Sequence, residues 1–247
     1  EESIFQSGLN EVSESSESDI QISVVSIEEN SIGSENKSPY VVPPGIPRDI
    51  DNTTIVQRRT NEQSLQICID DLSDGDGRAI FKESNFDLIN YGRIKMFIHA
   101  EPKDGEILDD NEINAFLRFG SDYENNYYEI ELPLKITRPE LLNQSSSNLS
   151  RLVWPQENEI NFSIDELLSL KSERNREKID INSPFTKMSA NGKYKIRIKG
   201  RPSLGSILNI MIGIKNPLSE DRASKSACLW FNELRLTDFD KTKGWAA

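Results

Sequence analysis

From Glu62 onward the chain alternates apolar and polar residues with a period of two, and this feature most constrains its fold. In "SLQICID" the apolar positions are Leu65, Ile67 and Ile69, and in "GRIKMFIHAE" they are Ile94, Met96, Ile98 and Ala100. "INAFLRFG" supplies Ile113, Ala115, Leu117 and Phe119, and "YYEIELPLKIT" supplies Tyr128, Ile130, Leu132, Leu134 and Ile136. "KYKIRIKG" gives Tyr194, Ile196 and Ile198, and "ILNIMIGI" gives Leu208, Ile210, Ile212 and Ile214. Successive strand side chains point to opposite faces, so each stretch reads as a strand with one buried face. Many such strands, separated by turn residues, predict a mainly β chain folded as a β-sandwich.

One helix interrupts the pattern. In "SIDELLSLKSERNREK", Ser163 and Glu166 have capping-box spacing, and Leu167, Leu168 and Leu170 follow. "RPELLNQ" is expected to add one further turn. Strands lie on both sides of the helix, so residues 62–247 read as one β-sandwich domain.

The first 61 residues differ in composition. Residues 1–38 hold nine acids against Lys37, a net −8 out of −12 for the chain. They read as an acidic, Ser/Glu-rich linker or disordered segment. Within them "IQISVVSI" alternates well enough to be a strand that pairs with a partner. Residues 39–61 contain "YVVPPGIPRDI" from Tyr40, whose Pro43, Pro44 and Pro47 remove backbone donors and exclude a central strand. They read as a strap across a surface. The chain starts with Glu and carries no basic-then-apolar leader, so it is expected to be a soluble piece of something longer. "SILNIMIGIKN" has the character of one barrel strand, but a membrane barrel needs at least about eight.

The final stretch, "CLWFNELRLTDFDKTKGWAA", places Asn232 between Trp230 and Leu234 in the apparently apolar phase. A buried amide needs hydrogen-bond partners or costs a few kcal/mol, at about 1–3 each. Asn232 therefore tethers a loop, helps hold an ion, or turns outward at a bulge after Phe231.

The search for catalytic machinery returns little. The chain has one histidine, His99, on the polar phase of its strand, and no nucleophile elbow, so it reads as a surface residue. "DLSDGDGRA" lacks the Lys-Ser/Thr ending of a phosphate loop. Its Asp70, Asp71, Asp74 and Asp76 fail the EF-hand spacing, because Leu72 and Phe81 fall on ligand positions. A polar hairpin turn is the plainer reading; a structural calcium site stays open, with no other metal and no cofactor expected. The stripe Lys193, Lys195, Arg197 and Lys199 has no interleaved aromatics for base stacking. It reads as a wet strand face, neutralised by a neighbouring acidic strand such as "YYEIELP" through Glu129 and Glu131. With the body beyond residue 38 nearly balanced in charge, nucleic acid is not an expected partner. Cys68 and Cys228 each sit inside a strand-like run; a disulfide is open, and free half-buried thiols are the plainer reading.

Six stretches, taken in order, carry a resemblance: "VPPGI", "DGRAIFK", "NYGRIKMFIHAE", "AFLRFGSDYENNYYEIELPL", "LVWPQEN" and "CLWFNELRLTDFDKTKGWAA". From about Val42 to the last residue the chain resembles the SprA/Sov family. These are giant outer-membrane translocons of the type 9 secretion system of Bacteroidetes, tied also to gliding motility. The resemblance implies a soluble insert at one end of a large outer-membrane barrel; the extracellular end is expected, with the periplasmic side left open. It implies no catalytic residues. Partners implied are other parts of the same translocon chain, lateral-opening and plug proteins, and exported cargo.

The closing segment is also similar, more loosely, to the last strand of jelly-roll carbohydrate-binding modules. This makes the sandwich jelly-roll-like and gives Trp230 and Asn232 structural roles. The expected partner-contact region is "RFGSDYENNYYE", with Asp122, Tyr123, Asn126 and Tyr127 beside a turn, a composition suited to recognition. The competing reading is a carbohydrate-binding module, with Trp154 and Trp245 exposed to stack on sugars.

Overall fold

The computed structural model describes residues 3–6, 19–48, 50–51, 58–103, 106–142 and 147–240. In chain order the first strands are β1 (Ser3–Gln6), β2 (Ile20–Ser26), β3 (Ile50–Asp51), β4 (Arg58–Arg59), β5 (Gln63–Leu72) and β6 (Gly77–Phe86). Then come β7 (Tyr91–Pro102), β8 (Asn114–Gly120), β9 (Tyr127–Pro133), α1 (Leu149–Val153), β10 (Ile160–Ser163) and α2 (Asp165–Arg176). The chain closes with β11 (Phe185–Met188), β12 (Lys195–Lys199), β13 (Ile207–Lys215) and β14 (Lys225–Phe239).

Two antiparallel sheets form the sandwich. One runs β1-β6-β13-β8-β9-β12-β11 and the other β10-β7-β14-β5-β2. Among them, β5, β6, β7, β8, β9, β10, β13 and β14 have the double Greek-key order of a jelly roll. The first of these strands, β5, pairs with the last, β14, and the second, β6, pairs with β13. The chain crosses between sheets at β5–β6, β6–β7 and β7–β8, so most loops lie at the two ends of the sandwich. The remaining strands extend the edges. The "IQISVVSI" stretch takes the strand alternative: β2 pairs with β5 from Ile20↔Ile69 to Ser26↔Gln63.

The period-two faces meet as the main core. Ile67, Ile98, Ala115, Leu117, Tyr128, Ile130, Leu132 and Ile198 are all at most 1% exposed. Two strands depart from the simple alternation. In β13 the register shifts between Ile207 and Asn209, so Ile207 enters the core and Leu208 is left 42% exposed. In β14 the core face is Ala227, Leu229 and Phe231, and Trp230 with Asn232 point the other way. The bulge there follows Asn232, with Glu233 at φ 53°, and returns Leu236 to the core.

The opposite face of the five-stranded sheet is covered as well. The segment around Tyr40, Val41 and Ile46, together with Val153 and Trp154, packs on Val25, Phe97 and Trp230 as a second core. This corrects the reading of His99 as a surface residue: it is fully buried beside Trp230, with ring centroids 4.0 Å apart. His99 contacts the Val153 carbonyl through Nδ1 at 2.7 Å and the Glu101 carboxylate through Nε2 at 3.3 Å.

Helix α2 starts without the expected capping box. Its N-cap is Ile164 with no side-chain cap, and Glu166 instead accepts the Ala190 N–H at 2.8 Å. Leu167 and Leu170 face the core, Leu168 faces water, and Arg174 is buried while donating to the Gly200 carbonyl at 2.6 Å. The "RPELL" stretch forms the single 3-10 turn Pro139–Leu141.

Cys68 and Cys228 form a disulfide, which corrects the expectation of free thiols. They are direct partners in the β5–β14 register. Strand pairing thus brings together residues 160 apart in sequence, and sequence alone does not specify that register. Among the described residues no helix is long and apolar enough to cross a membrane.

Candidate functional site

The β8–β9 hairpin holds the four residues expected to meet a partner. Asp122 Oδ1 accepts the N–H groups of Glu124 and Asn126 at 3.0 Å each, and its Oδ2 accepts Asn126 Nδ2 at 2.7 Å. Partial burial alone raises the Asp122 pKa, but these donors outweigh it and hold the carboxyl below its ordinary value. Asn126 Oδ1 accepts the Arg201 N–H at 2.9 Å, which ties the hairpin to the loop after β12. Tyr127 is buried under the Arg118 guanidinium, 4.1 Å from its ring centroid. Tyr123 is half-buried and its ring packs on Phe81 at 4.9 Å. Asp122, Asn126 and Tyr127 therefore shape a rigid turn, and its tip presents Glu124 and Asn125 to solvent.

Beside this hairpin the outer face of the seven-stranded sheet carries a buried ionic network. Strand pairing sets Lys195 opposite Glu131 and Arg197 opposite Glu129, as the charge pattern of the two segments predicts. Glu129 is fully buried and binds Arg118 at 2.6 Å, Lys215 at 2.7 Å and Arg197. Glu131 accepts from Lys215 at 3.0 Å and from Asn114 Nδ2 at 2.7 Å. Burial works to raise the Glu129 pKa, yet Lys215, Arg118 and Arg197 overcome it and hold the carboxyl well below the usual range. Burial corrects the reading of a simple wet face, since Arg197 is only 6% exposed. Phe116 lies across Gly213, where an added Cβ would fall 2.6 Å from its ring.

Asn232 and Trp230 sit under the strap. Asn232 Nδ2 donates to the Tyr40 hydroxyl at 3.0 Å and to Glu62 Oε1. Tyr40 in turn donates to Glu62 Oε2 at 2.8 Å and shares a 2.9 Å bond with Ser64 Oγ. Burial pushes the Tyr40 hydroxyl pKa far up, so Tyr40 stays a neutral donor. Asn232 thus fastens the strap to β14. Asn232→Ala leaves Tyr40 and Glu62 short of a donor, and a loss of about 1–3 kcal/mol is expected. Urea denaturation checks this; an unchanged midpoint would mean that the strap is held by its apolar contacts alone.

The candidate calcium loop is a β5–β6 turn. Asp74 Oδ1 accepts the N–H and Oγ of Ser219, at 2.9 and 3.0 Å, and Asp70 pairs with Lys103. Among the described residues no group of three or more His, Cys, Asp or Glu is placed to hold a metal ion. Trp154, expected to be exposed for sugar stacking, is 2% exposed and donates from Nε1 to the Val41 carbonyl at 2.7 Å. A Trp before a Pro has become a packed anchor. Trp245 lies outside the described residues.

The sequence offered the Glu129/Glu131 strand as one candidate neighbour of the Lys195/Arg197 strand, and the two do pair, but the second core was missed. A signal was present, since Phe97 and His99 share the phase opposite to Met96 and Ile98. A family model, SprA_N, described as motility related/secretion protein, matches residues 2–247. No curated protein matches the chain.

Proposed function

The chain belongs to the SprA_N family of motility-related/secretion proteins, and we propose that it serves there as a non-catalytic insert of the type 9 translocon. In this reading it sits at the extracellular end of an outer-membrane barrel of Bacteroidetes and contributes to protein export and gliding motility. It caps or lines the pore and contacts other parts of the translocon, lateral-opening and plug proteins, or cargo. The observation that supports this most is the family match over nearly the whole chain. The fold is consistent with a steric role: both outer sheet faces carry buried side chains, and the β8–β9 turn is braced at both ends. The carbohydrate-binding reading loses its main platform with the burial of Trp154.

A photo-crosslinker in place of Glu124, at the exposed turn tip, tests contact in the full-length translocon. Adducts with another part of the translocon or with an exported protein are expected. No adduct from this position or from Asn125 during active export would remove the hairpin from the proposal. Retardation of the chain in polysaccharide gels would instead favour the glycan reading.

A further inference from the structure

The ionic network has more cation than it needs. Among the described residues, Arg118, Lys195, Arg197 and Lys215 pair within it with two carboxylates, those of Glu129 and Glu131. Three of the four cations are at most 6% exposed, and Lys195 keeps a side chain 48% exposed. Desolvated positive charge without a matching anion is costly and favours binding one.

An open cleft of about 440 Å³ borders the network. Lys195, Arg197, Lys215 and Glu131 contribute to its wall, and Pro217 and Leu218 give an apolar side. Leu218 is 78% exposed there. Asn216 also lines the cleft. Its Nδ2 donates to the Leu72 and Ala223 carbonyls, while its Oδ1 has no hydrogen-bond partner.

We propose that this cleft binds an acidic segment of a partner protein, seating one carboxylate between Lys195, Arg197 and Lys215. The apolar wall takes the aliphatic stem or a neighbouring apolar side chain. Glu131, in the same wall, opposes a doubly charged phosphate more strongly than a carboxylate. The export reading neither requires this site nor depends on it.

The test is binding of a fluorescent acetylated peptide of alternating Leu and Glu to the 247-residue chain, by anisotropy. The Gln counterpart and inorganic phosphate serve as comparison probes. The Glu peptide is expected to bind at least about tenfold more tightly than the Gln peptide, and more weakly as salt rises. Lys195→Glu reverses one charge on a half-exposed side chain and is expected to weaken binding at least about tenfold with unchanged melting. Should that variant fail to fold, Lys195→Gln carries the same test, with a loss of about threefold. Equal binding of the two peptides, no binding, or insensitivity to the Lys195 variants would overturn the proposal. Phosphate that displaces the peptide at equal concentration would also overturn it, assigning the cleft to small anions.

Discussion

Glu129→Ala is expected to destabilise the protein by about 3–5 kcal/mol, the range for breaking a buried ion pair on one side. The carboxylate is fully buried and holds Arg118, Arg197 and Lys215 together. Without it three cations remain close, desolvated and mutually repelling, with Glu131 the one carboxylate among the described residues still paired within the network. At about 2–4 °C per kcal/mol for a chain of this size, calorimetry is expected to show a fall of about 6–20 °C in melting temperature. A change below about 1 kcal/mol would mean that water enters the face and screens the network. The acid dependence follows from the same contacts. The folded pKa of Glu129 is depressed, so its stabilisation is complete above its unfolded value, about 4.3. That stabilisation is lost as the pH falls through the native value. Between pH 7 and pH 3, Glu129→Gln is therefore expected to lose less stability than the parent sequence.

Replacing both Cys68 and Cys228 with Ser is expected to cost about 2–5 kcal/mol, near the upper end if chain entropy dominates. The cross-link spans 160 residues, and its removal frees the unfolded chain through nearly the whole sandwich. It also joins β5 to β14, the first and last strands of the jelly roll. Guanidinium denaturation is expected to show a lower midpoint and a steeper slope, because an unlinked denatured chain exposes more surface. The same fall is expected when the parent sequence is unfolded under reducing conditions. An unchanged midpoint would mean that strand pairing alone fixes the two ends.

How much of this was legible follows from what alternation encodes. Ile94 to Ala100 and Tyr128 to Ile136 announced their buried faces, because each strand has one strongly aliphatic phase. The phase of β14 was not legible, because both of its faces are buried: Leu229 and Phe231 in the main core, Trp230 and Asn232 under the strap. The bulges at Leu208 and Glu233 each shift the phase within a strand, and no residue type at those positions signals it. His99 was misplaced because a polar residue implies water only where nothing covers the strand. The disulfide was open to either reading because it depends on register. Opposite charges made β9 one candidate neighbour of β12, and the two pair, since cross-strand partners of opposite sign attract. Their burial was not foretold, since it depends on how long side chains lie across neighbouring strands. The hairpin residues were found by composition, but Tyr127 and Asp122 turn inward to brace the turn.

The central proposal is that the chain acts as a translocon insert and takes part in export. An in-frame deletion of the segment from the translocon proposed to carry it tests this most directly, with translocon level in the outer membrane and cargo in the medium both quantified. Normal translocon levels with lost or leaky export are predicted. Normal levels with normal export would contradict the claim and shift the segment's role to adhesion at the cell surface.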